Sequence, residues 1–293
     1  MADTITLEKL YECAVQQLND AGVKSAPLDA RLIFMKSLNI SHTDFITEAK
    51  TLSFSESGLC VTRENLGKRC EGMPVSRIFN EREFWGLPFY INEHCLDPRP
   101  DTETLIEAVV TAFSSRKREA LRFVDFGVGS GCILLSLLRE FPNAYGVAVD
   151  ISYETLKVTQ KNAYFLGVAD RINFVCSDWD SALSVRGENQ FDVVVSNPPY
   201  IESEMIPALE REVIHFDPML ALDGGISGLN PYNVLVPKLK FLLKPSGRAF
   251  FEIGKGQESD VQRLVEKVDA TLNGLYRDIA GIIRVVDISC GDK

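Results

Sequence analysis

The feature that most constrains the fold is a strand that runs through a glycine-rich turn into an apolar helix. Residues 121–126 predict a buried strand, and the mostly apolar residues 132–138 predict a helix. The turn between them consists of Gly127, Val128, Gly129, Ser130 and Gly131. Glycines in such a turn let the backbone approach a ligand closely, next to the positive end of the following helix. The segment predicts an α/β fold with a nucleotide-type site.

The same turn departs from the dinucleotide fingerprint. Cys132 stands where the pattern Gly-x-Gly-x-x-Gly has its third glycine. A ligand without a pyrophosphate fits this change better, so the turn favours S-adenosylmethionine over NAD. A glycine-rich turn alone is weak evidence, and the site needs further groups.

An acidic residue follows each of the next two predicted strands. Asp150 ends strand 144–149, where a carboxylate can accept hydrogen bonds from ribose hydroxyls; the alternative is capping of the next helix, for which Ser152 competes. Asp178 and Trp179 follow strand 171–176 and could meet the edge and face of an adenine. The alternative there is an ordinary turn with a packed tryptophan.

A stiff polar corner follows the buried strand 191–196. It consists of Asn197, Pro198, Pro199 and Tyr200. The prolines stop ladder pairing and fix φ, and Asn197 is pushed out of the helical region. An Asn amide, a free proline carbonyl and an aromatic ring suit a planar amide or amine, the kind of group that N-methyltransferases modify. The alternative is that these four residues merely end the strand and have no part in a site.

Two predicted regions precede this α/β part. Residues 1–73 predict a small helical domain with helices starting near Ser25 and Ser55, either a lid or a substrate-recognition part. Residues 74–97 predict a hairpin linker turning at Asn80 and Glu81. The catalytic domain is then expected to span 98–293.

The segment 98–103 opens a helix and holds Arg99 between two prolines. Asp101 or Thr104 is the expected cap, and capping would also explain Thr102. The positive helix start, with Arg99, could face a carboxylate such as the methionine end of the donor. Residues 201–229 are long for a connector and are expected to fold over the site. Strands 275–277 and 282–288 predict a closing hairpin, so the sheet should be mostly parallel with one antiparallel strand.

Composition narrows the function classes. Lys and Arg total 31 and Asp and Glu total 41, a formal charge of −10, which disfavours broad nucleic-acid binding. The sequence suggests neither a membrane span nor a secretory signal. Seven scattered cysteines are expected to be reduced and mostly buried, as in a cytoplasmic protein, and the three distant histidines suggest no zinc site.

Taken together, these motifs resemble the peptide chain release factor glutamine N5-methyltransferases over essentially the whole chain. The resemblance rests on residues 98–103, the 127–131 turn, residues 177–179 and 197–200, and the upstream 81–86. Asp97, Phe126 and Val128 depart from the usual pattern; the backbone contacts of the turn should survive this.

The resemblance implies a Rossmann-like, seven-stranded class I S-adenosylmethionine-dependent methyltransferase with a small N-terminal helical domain. It implies donor contacts from Gly127 to Gly131, Asp150, Asp178, Trp179 and Asn197, with S-adenosylhomocysteine as product. It implies that Asn197, Pro198 and Tyr200 are catalytic and that residues 197–200 bind the substrate. That substrate would be the glutamine of the Gly-Gly-Gln motif in class I release factors.

Two other function classes compete. A DNA or RNA adenine N6-methyltransferase would use the same corner on a flipped base, although the acidic charge counts against it. A non-catalytic S-adenosylmethionine-binding module is the third possibility, and the intact Asn197–Tyr200 corner argues against that one.

Overall fold

A computed structural model describes residues 6–47, 55–183 and 190–291 of the chain. The α-helices are α1 (Leu7–Asp20), α2 (Ala26–Leu38), α3 (His42–Thr47), α4 (Glu56–Cys70), α5 (Val75–Phe79), α6 (Glu103–Ala112), α7 (Cys132–Glu140), α8 (Tyr153–Phe165), α9 (Arg211–Phe216), α10 (Asn230–Leu235), α11 (Leu239–Leu242) and α12 (Glu258–Glu266). The strands are β1 (Glu81–Phe84), β2 (Leu87–Tyr90), β3 (Arg122–Phe126), β4 (Tyr145–Asp150), β5 (Ile172–Cys176), β6 (Phe191–Ser196), β7 (Leu243–Glu252), β8 (Ala270–Arg277) and β9 (Ile283–Cys290).

Seven of these strands form one sheet in the order β5-β4-β3-β6-β7-β9-β8. The pairs from β5 to β7 are parallel, whereas β9 is antiparallel to both β7 and β8. This confirms the predicted, mostly parallel sheet with one antiparallel strand and a closing hairpin. Strand order reverses between β3 and β6, so the carboxyl ends of these two strands flank the point where open α/β sheets bind ligands.

Apolar side chains cover both faces of this sheet, as parallel strands require. One cluster includes Phe123, Leu134 and Leu138, and the other includes Val124, Phe126 and Val194. Neighbouring residues of β3 therefore contribute to different clusters, and the strand is buried on both sides. Such burial makes β3 a rigid support for the turn that follows it.

The chain divides into two compact units. One comprises the sheet and its helices, from Glu81 to Glu210 and from Asp217 to the C-terminus. The other comprises the helices before Asn80 together with Arg211–Phe216. Nothing in the sequence had suggested that α9, far along the chain, belongs to the helical unit.

Local signals start the helices of the helical unit. Ser55 caps α4 by accepting a hydrogen bond from Gly58 N at 3.1 Å, and Pro27 stands in the first turn of α2. Leu7, Leu18 and Ile33 are fully buried in its core. The predicted helix starts near Ser25 and Ser55 are thus confirmed.

The predicted hairpin was wrong in its first strand and in its turn. Residues Val75–Phe79 form α5, which starts after Pro74 and ends at Asn80 in the left-handed region with φ 52°. The hairpin pairs β1 with β2 and turns at Trp85 and Gly86, both with positive φ. A short apolar run does not distinguish helix from strand, and packing within the helical unit selects the helix.

The cysteines also differ from expectation. None of the seven, all within the described residues, forms a disulfide; Cys95 alone is buried, while Cys13, Cys60 and Cys176 are exposed. Cys13 and Cys60 lie on solvent-facing positions of α1 and α4, where a small side chain needs no core contact. Within the described residues, no helix has the length and apolar character needed to cross a bilayer.

Candidate active site

A cavity of about 420 Å³ opens in the sheet unit at the carboxyl ends of β3, β4, β5 and β6. Of the residues predicted to bind the donor or the substrate, those that line it are Gly127, Val128, Gly129, Ser130, Asp150, Asp178, Trp179, Asn197 and Pro199. Parallel strands present their carboxyl ends at one edge, which is why motifs up to 70 residues apart meet here. Gly131, Pro198 and Tyr200 do not line the cavity.

The glycine turn is a backbone cradle. Gly127, Gly129 and Gly131 have φ of 72°, 57° and 84°, which a residue with a Cβ rarely adopts. Gly127 N donates to Val149 O at 2.9 Å, and Gly129 N donates to the Asp150 carboxylate at 3.1 Å. The turn is therefore fastened to the end of β4.

Gly131 has a packing role instead of a cavity role. A Cβ there would lie 2.7 Å from Thr159 Cγ2 and 2.9 Å from Leu135 Cδ1. Thr159 also donates its hydroxyl to Gly129 O at 2.7 Å, and Asn162 donates to Ser130 O at 2.8 Å. Side chains of helix α8 thus hold the backbone of the turn by hydrogen bonds. Nothing in the sequence indicated this support.

Asp150 is buried, with 9% of its surface exposed. Its two carboxylate oxygens accept hydrogen bonds from Gly129 N and Ser152 N. Desolvation raises the pKa of this carboxyl, and the backbone N–H groups oppose that rise. Ser152, not Asp150, caps α8 by accepting from Thr155 N at 3.2 Å, so capping does not explain Asp150.

Asp178 and Trp179 lie together on the cavity wall after β5. Trp179 is held at φ 48°, in the left-handed region that a large side chain rarely occupies. Its ring also packs against the core cluster on one face of the sheet. Ser181 N donates to Asp178 O at 3.1 Å, so these residues form a turn with a packed tryptophan, and the same turn places an indole beside an acid in the cavity wall.

The Asn197–Tyr200 corner is tied to neighbouring strands. Ser196 donates its hydroxyl to Phe126 O at 2.6 Å, joining the ends of β6 and β3. Gln257 donates to Tyr200 O at 3.0 Å. The Tyr200 hydroxyl donates to Glu252 Oε1 at 3.3 Å, and burial raises the pKa of this phenol. Tyr200 thus points its hydroxyl at β7.

The capping prediction for residues 98–103 was wrong. Helix α6 starts at Glu103 with Thr102 as N-cap residue, and no side chain caps it. Asp101 instead pairs with Arg284 at 2.6 Å, and Thr102 accepts a hydrogen bond from Asn197 Nδ2 at 3.2 Å. A 3-10 turn at Pro100–Thr102 shifts the helix start and frees these side chains for tertiary contacts.

Arg99 lines the cavity and pairs with Asp217 at 2.9 Å. Asp217 also accepts a hydrogen bond from Asp97 N at 3.1 Å. The following residues Pro218, Leu220, Ala221 and Asp223 add to the cavity wall. This confirms that part of the long segment 201–229 folds over the site.

Two buried acids near the site escaped the sequence analysis. Glu252, at the end of β7, is 1% exposed, and burial raises its pKa to about 7. Asp125, on β3, is fully buried, and burial raises its pKa well above the ordinary value, against a weaker opposing effect of the Leu134 N–H. An acid inside an otherwise apolar strand was the available signal for both.

A seven-stranded sheet of this order, with a glycine cradle and an acid at the next strand end, defines a class I S-adenosylmethionine-dependent methyltransferase. Family models agree: "Methyltransferase small domain" matches residues 100–219, and "PrmC N-terminal domain" matches residues 9–79. The chain is 39% identical over 283 residues to the release factor glutamine methyltransferase of Bradyrhizobium diazoefficiens, covering 96% of this chain and 94% of that one. It is 38% identical over 283 residues to the Caulobacter vibrioides protein of the same name, covering 97% and 96%.

The chain therefore belongs to the release factor glutamine methyltransferase family. Solved structures agree on the fold. An hMettl16 catalytic domain in complex with a 3′UTR hairpin gives a TM-score of 0.57 at 14% identity, covering 89% of this chain and 92% of that one. A methyltransferase from Pyrococcus furiosus gives 0.51 at 15% identity, covering 71% and 91%.

Proposed function

We propose that this enzyme transfers a methyl group from S-adenosylmethionine to the side-chain amide nitrogen of the glutamine in the Gly-Gly-Gln motif of class I release factors. The observation that carries the proposal is that the glycine cradle and Asn197 line one cavity. The names of the two relatives above supply the acceptor. The same proposal places the enzyme in the cytoplasm, without a direct nucleic-acid partner.

The cavity wall suits the donor. Gly127 and Gly129 leave open space where a Cβ would stand, so a ligand can approach their backbone. The Asp150 oxygens accept backbone hydrogen bonds from Gly129 N and Ser152 N and keep lone pairs for a ribose hydroxyl. Asp178 and Trp179 would take the adenine edge and face. Bound in this cavity, S-adenosylmethionine would supply a methyl group already activated on a sulfonium.

The protein must then handle an amide nitrogen, which is a poor nucleophile because its lone pair is delocalised. Asn197 Nδ2 is engaged by Thr102, which leaves Asn197 Oδ1 as an acceptor for one N–H of the glutamine amide. The Pro198 carbonyl would accept the other N–H, and Tyr200 would pack against the amide plane. Two fixed acceptors aim the nitrogen and favour positive charge building on it.

We also propose that the helical unit contributes to release factor recognition. The corner reads only an amide, and many proteins expose glutamine, so selectivity requires another surface. The helical unit contributes no residue to the cavity wall among the described residues. Its helices expose Leu28, Ile46 and Val61, apolar side chains of the kind that protein interfaces bury.

Labelled methyl transfer tests the proposal. Purified protein should label a release factor, and should label neither its Gln→Ala variant nor DNA. Asn197→Ala should nearly abolish transfer while the protein remains folded. Equal labelling of the Gln→Ala variant would contradict the acceptor, and preferential labelling of DNA would favour the adenine N6-methyltransferase alternative.

A further inference from the structure

One glutamine contacts three separate segments beside the Asn197–Tyr200 corner. Gln257 stands between β7 and α12 and is half-buried. Its Nε2 donates to Tyr200 O at 3.0 Å and to Gly228 O at 3.3 Å. Its Oε1 accepts from Gly254 N at 2.9 Å. Both hydrogens of the side-chain amide and its oxygen are therefore used within the sheet unit.

The orientation of this amide follows from its partners. Two backbone carbonyl oxygens face one end of it and a backbone N–H faces the other, so the nitrogen must point to Tyr200 and Gly228. A glutamate of the same length would set a carboxylate against two carbonyl oxygens, and a methionine would bring no donor. The contact therefore depends on the amide and not on the size of the side chain.

The corner is anchored at both ends. Before it, the Ser196 hydroxyl donates to Phe126 O at 2.6 Å, and after it, Gln257 holds Tyr200 O. The rings of the two prolines between these anchors fix φ. A segment held in this way has little conformational freedom left, so the direction of the Pro198 carbonyl depends on the Gln257 contact.

The second carbonyl that Gln257 holds belongs to a loop over the corner. This loop, residues 222–230, pairs with the chain that follows the corner, since Ile201 N donates to Leu222 O at 3.1 Å. Asn230, at the end of the loop, lines the cavity. One side chain thus joins the corner to the cavity wall.

The loop approaches the corner closely at Gly228. A Cβ there would lie 2.4 Å from Tyr200 O and 2.7 Å from Gln257 Nε2, the two atoms that the hydrogen bond joins. A side chain at this position would push directly on that bond. Gly228 therefore offers a second way to disturb the contact, without altering Gln257.

We propose that Gln257 is a positioning residue that fixes the backbone of the Asn197–Tyr200 corner for the acceptor substrate. This inference rests on the proposed function, since the Pro198 carbonyl is one of the two groups that would hold the glutamine amide. Gln257 does not line the cavity and acts through the corner. Loss of its donors should therefore impair methyl transfer and leave the donor site at the ends of β3 and β4 intact.

The first test reads the contact without catalysis. Full-length protein labelled with ¹³C-carbonyl tyrosine and ¹⁵N-isoleucine gives two Tyr–Ile carbonyl–amide NMR signals, from residues 90–91 and 200–201. Tyr90→Phe identifies the first signal. In Gln257→Glu the 200–201 signal should shift, because its carbonyl loses a hydrogen bond, while the 90–91 signal stays in place. An unmoved 200–201 signal would overturn the inference.

The second test separates positioning from support of the fold. Gln257→Glu and Gln257→Met should each lower kcat for a release factor at least about tenfold, since misplacing reacting groups by about 1 Å can cost about a hundredfold. KM for the release factor and affinity for S-adenosylhomocysteine should each change less than about threefold. Gln262→Glu makes the same change at an exposed position of α12 and should keep wild-type kcat. A loss of S-adenosylhomocysteine affinity as large as the loss of kcat would overturn the positioning role.

A pair of glycine variants tests the contact from the opposite side. Gly228→Ala should lower kcat at least about threefold, because its Cβ displaces Tyr200 O. Gly281→Ala is the matched control: Gly281 has φ of 81° and Gly228 has 68°, but the Cβ position of Gly281 is open space. Backbone strain is then common to both variants. Equal kcat in the two would contradict the inference.

The outcomes distinguish this inference from the proposed function. If the wild type does not label release factor, the proposed acceptor is wrong, and the 200–201 carbonyl signal still decides whether Gln257 holds the corner. If the wild type labels release factor but both Gln257 variants keep wild-type kcat, the positioning role is wrong and the proposed function stands.

Discussion

Buried carboxyl groups dominate the site at the scale of single residues. Asp125, Asp150 and Glu252 are each less than 10% exposed, and desolvation is the largest cause of the raised pKa in all three. Burying a carboxyl group costs free energy, so proteins seldom retain one in the core without a functional role. Buried acids with shifted pKa values are therefore found mainly at functional sites. Their contributions can be separated by substitutions that change one carboxyl at a time.

Asp150→Ala should weaken S-adenosylhomocysteine binding by at least about tenfold. The change removes hydrogen bonds from a charged acceptor, each contributing roughly 1.5–3 kcal/mol, and also frees the Gly129 N–H. Isothermal titration calorimetry measures the affinity. Glu154→Ala, which removes an exposed acid in the same region, is the control and should bind normally. Unchanged affinity in Asp150→Ala would refute the ribose assignment.

Glu252→Gln should change how stability depends on pH. The folded state raises the pKa of Glu252 to about 7 from an ordinary 4.5, so the folded protein binds this proton more tightly than the unfolded chain does. The free energy of unfolding should therefore fall as pH rises from about 4.5 to about 7. Urea denaturation at pH 5 and pH 8 should show a smaller difference in Glu252→Gln than in the wild type. Identical differences would contradict the assignment.

At the scale of elements, one arginine joins three helices of the helical unit. Arg69 on α4 is 4% exposed; its Nε lies 2.7 Å from Asp29 Oδ2 on α2, and its Nη2 lies 2.8 Å from Glu212 Oε1 on α9. This contact links α9 to the helical unit. A buried ion pair adds little net stability over an apolar contact, but loss of one partner is costly.

Arg69→Ala should destabilise the helical unit by about 3 kcal/mol. Asp29 is buried and would lose the guanidinium with which it pairs. Chemical denaturation followed by circular dichroism measures the change. Arg63→Ala removes an exposed arginine from the same helix and should shift stability by less than about 0.5 kcal/mol. A similar small shift in Arg69→Ala would show that the pairing contributes nothing.

At the scale of the whole molecule, the two units divide the proposed work. The cavity lies in the sheet unit, and the family model of the N-terminal domain covers residues 9–79. A short peptide carrying Gly-Gly-Gln would need only the cavity, whereas a folded release factor would also use the helical unit. The two acceptors therefore separate chemistry from docking.

Replacing Leu28, Ile46 and Val61 together by serine should raise KM for a release factor at least about threefold. These side chains are exposed, so the helical unit should stay folded while apolar contact area is lost. KM for the short peptide should not change. Ile279→Ser, an exposed apolar residue in the sheet unit, is the control. Unchanged KM for the release factor would remove these residues from the docking surface.

Sequence alone determined the elements whose signals are local. The glycine turn, the acid after β4 and the Asn197–Tyr200 corner each depend on neighbouring residues, because φ limits and strand ends are set within a few positions. Their convergence was also predictable, since parallel strands end at one edge of the sheet. The hairpin at 74–97 shows the limit: the short run 75–79 fits strand or helix, and tertiary packing selected the helix.

Only the tertiary structure decided which distant side chains meet. Thr102 and Asn197 are 95 residues apart, and Tyr200 and Glu252 are 52 apart. The sequence suggested helix capping for Thr102, and nothing marked α9 as part of the helical unit. Such contacts depend on the order of strands in the sheet and on which helix packs over them. Local propensity carries no information about either, because both are set by the burial of surfaces from the whole chain.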